Sequence, residues 1–142
     1  MPLMYKKIAY GIVQDILKEV VASGRDRIMT LLDVDNEESI AVTISKEGKD
    51  QLHIITTPDG GEERHTSRKI NSDDSAFWST VDEITYYVRI GAFYDDENTK
   101  ELIRIWVEAD VAGRKKSRSY HALVGTGEIL NSDDLTIWEP QL

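Results

Sequence analysis

The chain has 142 residues and no cysteine, and its 26 Asp and Glu against 17 Lys and Arg leave a net charge of −9. That length suits one domain, residues 1–142, with its own core, and the lack of thiols excludes a disulfide scaffold and a thiolate nucleophile while fitting a reducing, cytoplasmic setting. The negative balance opposes phosphate backbones and acidic lipid, so neither nucleic acid nor membrane is an expected partner.

At the N-terminus Lys6 and Lys7 precede a segment, Ile8 to Val21, that Gln14, Asp15, Lys18 and Glu19 interrupt. It therefore lacks the unbroken apolar region of a signal peptide, and no stretch reaches the roughly 20 apolar residues of a membrane span. Between Met4 and Val21 the residues Met4, Ile8, Ile12, Ile16 and Val20 recur every four positions, flanked by Ala9, Val13, Leu17 and Val21. This spacing predicts an amphipathic helix closed by Ser23-Gly24. Gly11 weakens it, and Tyr5 to Val13 also fits a strand.

Four strand-like runs follow, Arg27 to Asp33, Ser39 to Ser45, Gln51 to Thr57 and Glu62 to Lys69, as a meander joined by turn-forming segments. Pro58-Asp59-Gly60-Gly61 is the strongest of these turns. Glu62 to Lys69 is nearly devoid of apolar side chains, which suits a charged edge strand or a loop. Asn71-Ser72-Asp73-Asp74 can cap a short helix through Phe77, Trp78 and Val81.

Strict alternation returns from Ile84 to Tyr94, with Ile84, Tyr86, Val88, Ile90 and Ala92 on one side and Thr85, Tyr87, Arg89 and Phe93 on the other. Asp95 to Lys100 turns the chain into Leu102 to Val111, where Ile103, Ile105, Val107, Ala109 and Val111 share a face. A last strand spans Ser119 to Val124, with Tyr120, Ala122 and Val124 inward. The fold class is α+β, mainly antiparallel β: an N-terminal helix packed on a curved antiparallel sheet of about seven strands, with a small sandwich or half-open barrel as alternatives.

Ile70 to Trp78 and Leu130 to Trp138 echo one another, with five of nine positions identical including Asn-Ser-Asp-Asp and the final Trp. Duplication and a repeated cap-plus-anchor device both fit this echo.

Familiar chemistry is absent from the pattern. Asp33-x-Asp35-x-Glu37 opens like a calcium loop, but Glu38 stands where the turn needs Gly and Ile44 where the bidentate Glu belongs. The Asp pairs at 73/74, 95/96 and 133/134 sit where turns and caps favour Asp. No HExxH motif accompanies His53, His65 and His121, so no metal is expected, and a four-residue turn would send His53 and His65 to opposite faces. Gly125-Thr126-Gly127-Glu128 lacks the third glycine of a dinucleotide site, no P-loop or G-x-S-x-G motif occurs, and neither cofactor nor catalytic residues are expected.

Two surface features point to partners. Arg114, Lys115, Lys116 and Arg118 form a basic island suited to an anion or to a soluble hairpin tip. Tyr87, Phe93 and Trp106, with Arg104 beside them, fall on the parity opposite to the inward row and need a cover: the helix, a second sheet, a ligand, another protein or a second copy. In its order of elements and its acidity the chain resembles the small dimeric chaperones of bacterial secretion systems; these are expected to end in a helix, whereas Asp133 to Leu142 reads as an extended tail. The leading expectation is a non-enzymatic protein-interaction module of inhibitor, immunity or chaperone type, binding through the aromatic face. The alternative is a small apolar ligand held in a pocket lined by Tyr86, Val88, Ile105 and Tyr120, and an uncharacterised enzyme comes third.

Overall fold

The computed structural model describes the backbone of residues 2–111, 117–125 and 136–138 and the side chains of residues 4–111. Helix α1 (Pro2–Ala22) is followed by a short helix α2 (Arg25–Leu31) and a 3-10 turn (Val34–Asn36). Strands β1 (Glu38–Glu47), β2 (Gln51–Pro58) and β3 (Arg64–Lys69) come next, then a 3-10 turn (Ser72–Asp74) running into α3 (Ser75–Trp78). Strands β4 (Glu83–Tyr94), β5 (Leu102–Val111), β6 (Ser117–Gly125) and β7 (Thr136–Trp138) complete the described chain. All pairings are antiparallel, in the order β3-β2-β1-β4-β5-β6-β7. The architecture is α+β, an N-terminal helix on an open antiparallel sheet. Every described strand belongs to this one sheet and its outer strands do not meet, so the described residues form neither a sandwich nor a closed barrel.

The meander is three strands long rather than four. Arg27 to Asp33, expected as the first strand, is mostly α2: Ile28, Leu31 and Leu32 recur at helical spacing, Ile28 and Leu31 are buried, and Met29 between them is exposed. Gly24, at φ 102°, separates the two helices in a conformation that side chains resist. The Ser23 amide and hydroxyl both donate to carbonyls of the last turn of α1, Glu19 and Val20 respectively. Arg27 then clamps α2 to the start of β1, its Nε and Nη2 donating to Glu38 Oε2 and Oε1 at 3.0 and 2.6 Å. That bond to Glu38 raises the Arg27 guanidinium above its ordinary pKa, against partial burial.

The core lies between the helices and one face of the sheet. Ile40, Val42 and Ile44 of β1, Ile84, Tyr86, Val88 and Ile90 of β4, and Ile103, Ile105, Val107 and Ala109 of β5 are buried together with Ala9, Val13, Leu17, Val20 and Val21 of α1. The buried line of α1 runs through Ala9, Val13, Leu17 and Val21; of the row expected at its centre, Ile16 and Val20 are buried and Met4, Ile8 and Ile12 are only half-buried. Helix α1 packs over β5 and β6, and α2 packs on β4. The Tyr86 ring is fully buried. Its hydroxyl donates to the Tyr5 carbonyl at 2.8 Å, joining the middle of the sheet to the first turns of α1. No helix among the described residues is long and apolar enough to cross a membrane.

The two Asn-Ser-Asp-Asp segments lead into different structures. Asn71 Oδ1 accepts from the Asp73 amide at 3.3 Å and starts the turn into α3. That helix buries Phe77 and Trp78, as the capping pattern predicts. The second echo ends in strand β7, Thr136–Trp138, and its residues 131–134 lie outside the described residues. The backbone is helical at Trp78 and extended at Trp138.

Two substitutions probe this core. Leu17→Ala removes a fully buried side chain between α1 and the sheet, and it is expected to lower stability by about 2–5 kcal/mol in urea unfolding. Gly11 sits mid-helix with nothing within 4 Å of an added Cβ. Gly11→Ala is therefore expected to raise stability in the same measurement by about 1 kcal/mol.

Candidate functional site

Two surfaces stand out, one on each side of the sheet. The first is the helix-free face of β4 and β5, where side chains alternate away from the core. In register, Tyr87 stands opposite Asp110, Arg89 opposite Glu108, Gly91 opposite Trp106 and Phe93 opposite Arg104. Tyr87 is 56% exposed and Phe93 42%.

Trp106 is held down between them. An added Cβ on Gly91 would collide with Trp106 Cζ2, so the indole occupies the space that any other residue at 91 would fill. The Arg89 guanidinium carbon is 5.7 Å from the Trp106 ring centroid. That is within cation–π range. Arg89 Nη2 also donates to Glu108 Oε2 at 2.8 Å. This hydrogen bond raises the Arg89 pKa further. Arg104, expected as a partner contact, has its Nε and Nη2 on Asp95 Oδ1 at 3.1 and 2.6 Å and presents a neutralised pair beside Phe93. The residues the sequence singles out, Tyr87, Phe93, Trp106 and Arg104, are thus on one face.

Arg114, Lys115 and Lys116 lie outside the described residues, as does the side chain of Arg118, whose backbone pairs with Ala109.

The second surface is a cleft of about 730 Å³ on the helix-covered side. Helix α1 supplies one wall through Ile8, Gly11, Ile12 and Asp15; the floor is Val42, Ile44, Leu52 and Ile54 of β1 and β2; β3 supplies the far wall through Arg64, Thr66 and Arg68. Ion pairs close parts of its rim, Arg64 to Glu19 at 3.1 Å and Lys7 to Asp74 at 2.8 Å. The residues expected to line a ligand pocket do not line this one: Tyr86, Val88 and Ile105 are fully buried core, and the Tyr120 side chain lies outside the described residues. The sequence carries two hints of the cleft. Gly11 leaves a gap in a helix wall, and β3, with no apolar side chain to fill the space over Leu52 and Ile54, is exposed at every residue.

The close seating of Trp106 on Gly91 makes the face testable. Gly91→Ala forces the indole off the sheet and is expected to shift the Trp106 indole N–H resonance and cost about 1–3 kcal/mol of stability, both read on the purified chain.

No protein-family model matches the chain, and comparisons with curated proteins and with solved structures likewise find no match.

Proposed function

We propose that the chain is a non-enzymatic, acidic protein-interaction module of inhibitor, immunity or chaperone type, which binds another protein through the helix-free face of β4 and β5. The observation that supports this reading is the exposure of Tyr87 and Phe93 on either side of Trp106, which is seated against Gly91. Aromatic rings are the side chains that interfaces favour, because they bury large area at the cost of few rotatable bonds. The neutralised pairs Arg89–Glu108 and Arg104–Asp95 give the patch a polar rim, and Asp110 opposite Tyr87 adds a negative charge to it. A net charge of −9 favours a basic partner and speeds the encounter at low salt. The same reading takes the chain as one domain, in the cytoplasm, with its sheet curving around α1.

A small apolar ligand is the second reading, and the cleft is its place. Its volume of about 730 Å³ suits a small-molecule site. Its far wall is charged and polar, which favours a shared surface over a sealed apolar pocket.

A photo-reactive residue placed at position 87 or 93 in the native host is expected to cross-link one protein, or a second copy of the chain, whereas the same residue at Thr66 in the cleft is not. Tyr87→Ala with Phe93→Ala should then weaken binding of that partner at least about tenfold by titration calorimetry. A double variant that binds as tightly as the wild type, or cross-links arising from position 66 alone, would sink the interface reading.

A further inference from the structure

On the helix-free side of β2 and β3, away from the aromatic patch, two histidines meet. The pairing of Thr56 with Arg64 and of His53 with Ser67 leaves His53 and His65 on the same face, contrary to the expectation from a four-residue turn. The connection between the strands is residues 59–63, an odd number, and that one extra residue reverses the parity of β3. His53 Nε2 and His65 Nδ1 are 2.9 Å apart.

The remaining ring nitrogens each face a carboxylate. His53 Nδ1 is 3.5 Å from Glu47 Oε2, and His65 Nε2 is 3.0 Å from Glu63 Oε2. A neutral imidazole carries one N–H and one lone pair, and a carboxylate accepts only from the N–H. His65 Nε2 is hydrogen-bonded to Glu63, which leaves His65 Nδ1 as a lone pair facing His53 Nε2. With the His53 proton on Nδ1, toward Glu47, both inner nitrogens present lone pairs that a cation set off the line between them can take up. Two nitrogens bound to one ion at roughly 2.0–2.1 Å stand about 2.8–3.0 Å apart at a right angle and about 3.3–3.4 Å apart at the tetrahedral angle, so the observed separation fits right-angle ligation and has to open by about 0.4 Å for tetrahedral zinc. A carboxylate on the far nitrogen is also the arrangement that fixes the tautomer and raises the basicity of metal-bound histidine.

We propose that His53 Nε2 and His65 Nδ1, oriented by Glu47 and Glu63, form a surface site for a divalent transition-metal ion. Imidazole nitrogens select zinc, nickel or copper over magnesium and calcium. No three His, Asp or Glu side chains among the described residues converge on one point, so water completes the coordination. Both histidines are partly exposed, at 31% and 48% of their side-chain surface, which leaves room for it. The sequence hides this site because its ligands are twelve residues apart on different strands and only the register brings them together.

The test is titration of the full chain with zinc chloride and separately with nickel chloride, followed by calorimetry. One ion per chain is expected, with His53→Ala and His65→Ala each weakening binding at least about tenfold, Glu63→Gln weakening it about tenfold, and His121→Ala leaving it unchanged. Substoichiometric nickel should broaden the ring resonances of His53 and His65 before those of His121. Absence of zinc and nickel binding up to millimolar concentration, which would mark the contact as a plain hydrogen bond, overturns the proposal. So does binding that survives both single-histidine variants, or that is lost only in His121→Ala.

Discussion

A helix is about 10 Å across and neighbouring strands stand about 4.8 Å apart, so one helix covers little more than two strands of a sheet. That mismatch governs how this molecule is arranged. Helix α1 lies on β5 and β6, anchored to the middle of the sheet by the Tyr86 hydroxyl, and α2 covers β4. Of the remaining strands on that side, β1 and β2 floor the cleft beside α1 and β3 forms its far wall. Their side chains change accordingly: those of β1 are buried beside α1 and α2, Ile54 on β2 is half-buried, and β3 is wholly exposed and polar or charged. The cleft is the unfilled width. The charges of β3 do two jobs there, blunting an edge that would otherwise pair with another chain and reaching back to α1 through Arg64 and Glu19.

The opposite face of the sheet is under a different constraint. Among the described residues α1, α2 and α3 all contribute to the core on the other side, and Tyr87, Arg89 and Phe93 on this face are exposed. Tyr87 and Phe93, six residues apart on β4, stand roughly 20 Å from each other, with Trp106 between them. A glycine at 91 lets Trp106 lie flat, Arg89 stands against the indole, and Glu108 fixes Arg89 in turn. Tyr87 and Phe93 are left upright on either side. A face with a pinned centre and two exposed rings is pre-ordered, which lowers the entropy lost when a partner covers it.

How much of this is legible follows from which signals are local. The alternation of β4 and β5 is strict over ten residues or more, and every inward residue from Ile84 to Ala92 is buried as its parity requires. Hence Tyr87, Phe93, Trp106 and Arg104 can be placed on one face from sequence alone. Arg27 to Asp33 reads wrongly as a strand because a seven-residue helix spans fewer than two turns, too few for period 3.6 to separate from period 2. The cleft is invisible in the sequence because it depends on where α1 crosses the sheet, and no local pattern encodes that. The seating of Trp106 on Gly91 is a cross-strand contact, readable only once Gly91 and Trp106 are known to be partners.

The β2–β3 register ties the two sides together. With residues 59–63 as the connection, Ile54 pairs with Thr66 over the cleft and Ile55 pairs with His65 on the far side. A connection shorter by one residue would turn His65 and Ser67 toward the helices and Arg64, Thr66 and Arg68 away from them, because side-chain direction alternates with period 2. The ion pair of Arg64 with Glu19 would then be lost along with the meeting of His65 and His53. Gly60, at φ 74°, and Gly61, whose added Cβ would come within 3.1 Å of Pro58, make this particular turn possible. The turn therefore does more than reverse the chain. It sets the parity of an edge strand whose own residues, all exposed, carry too little burial energy to choose a register for themselves.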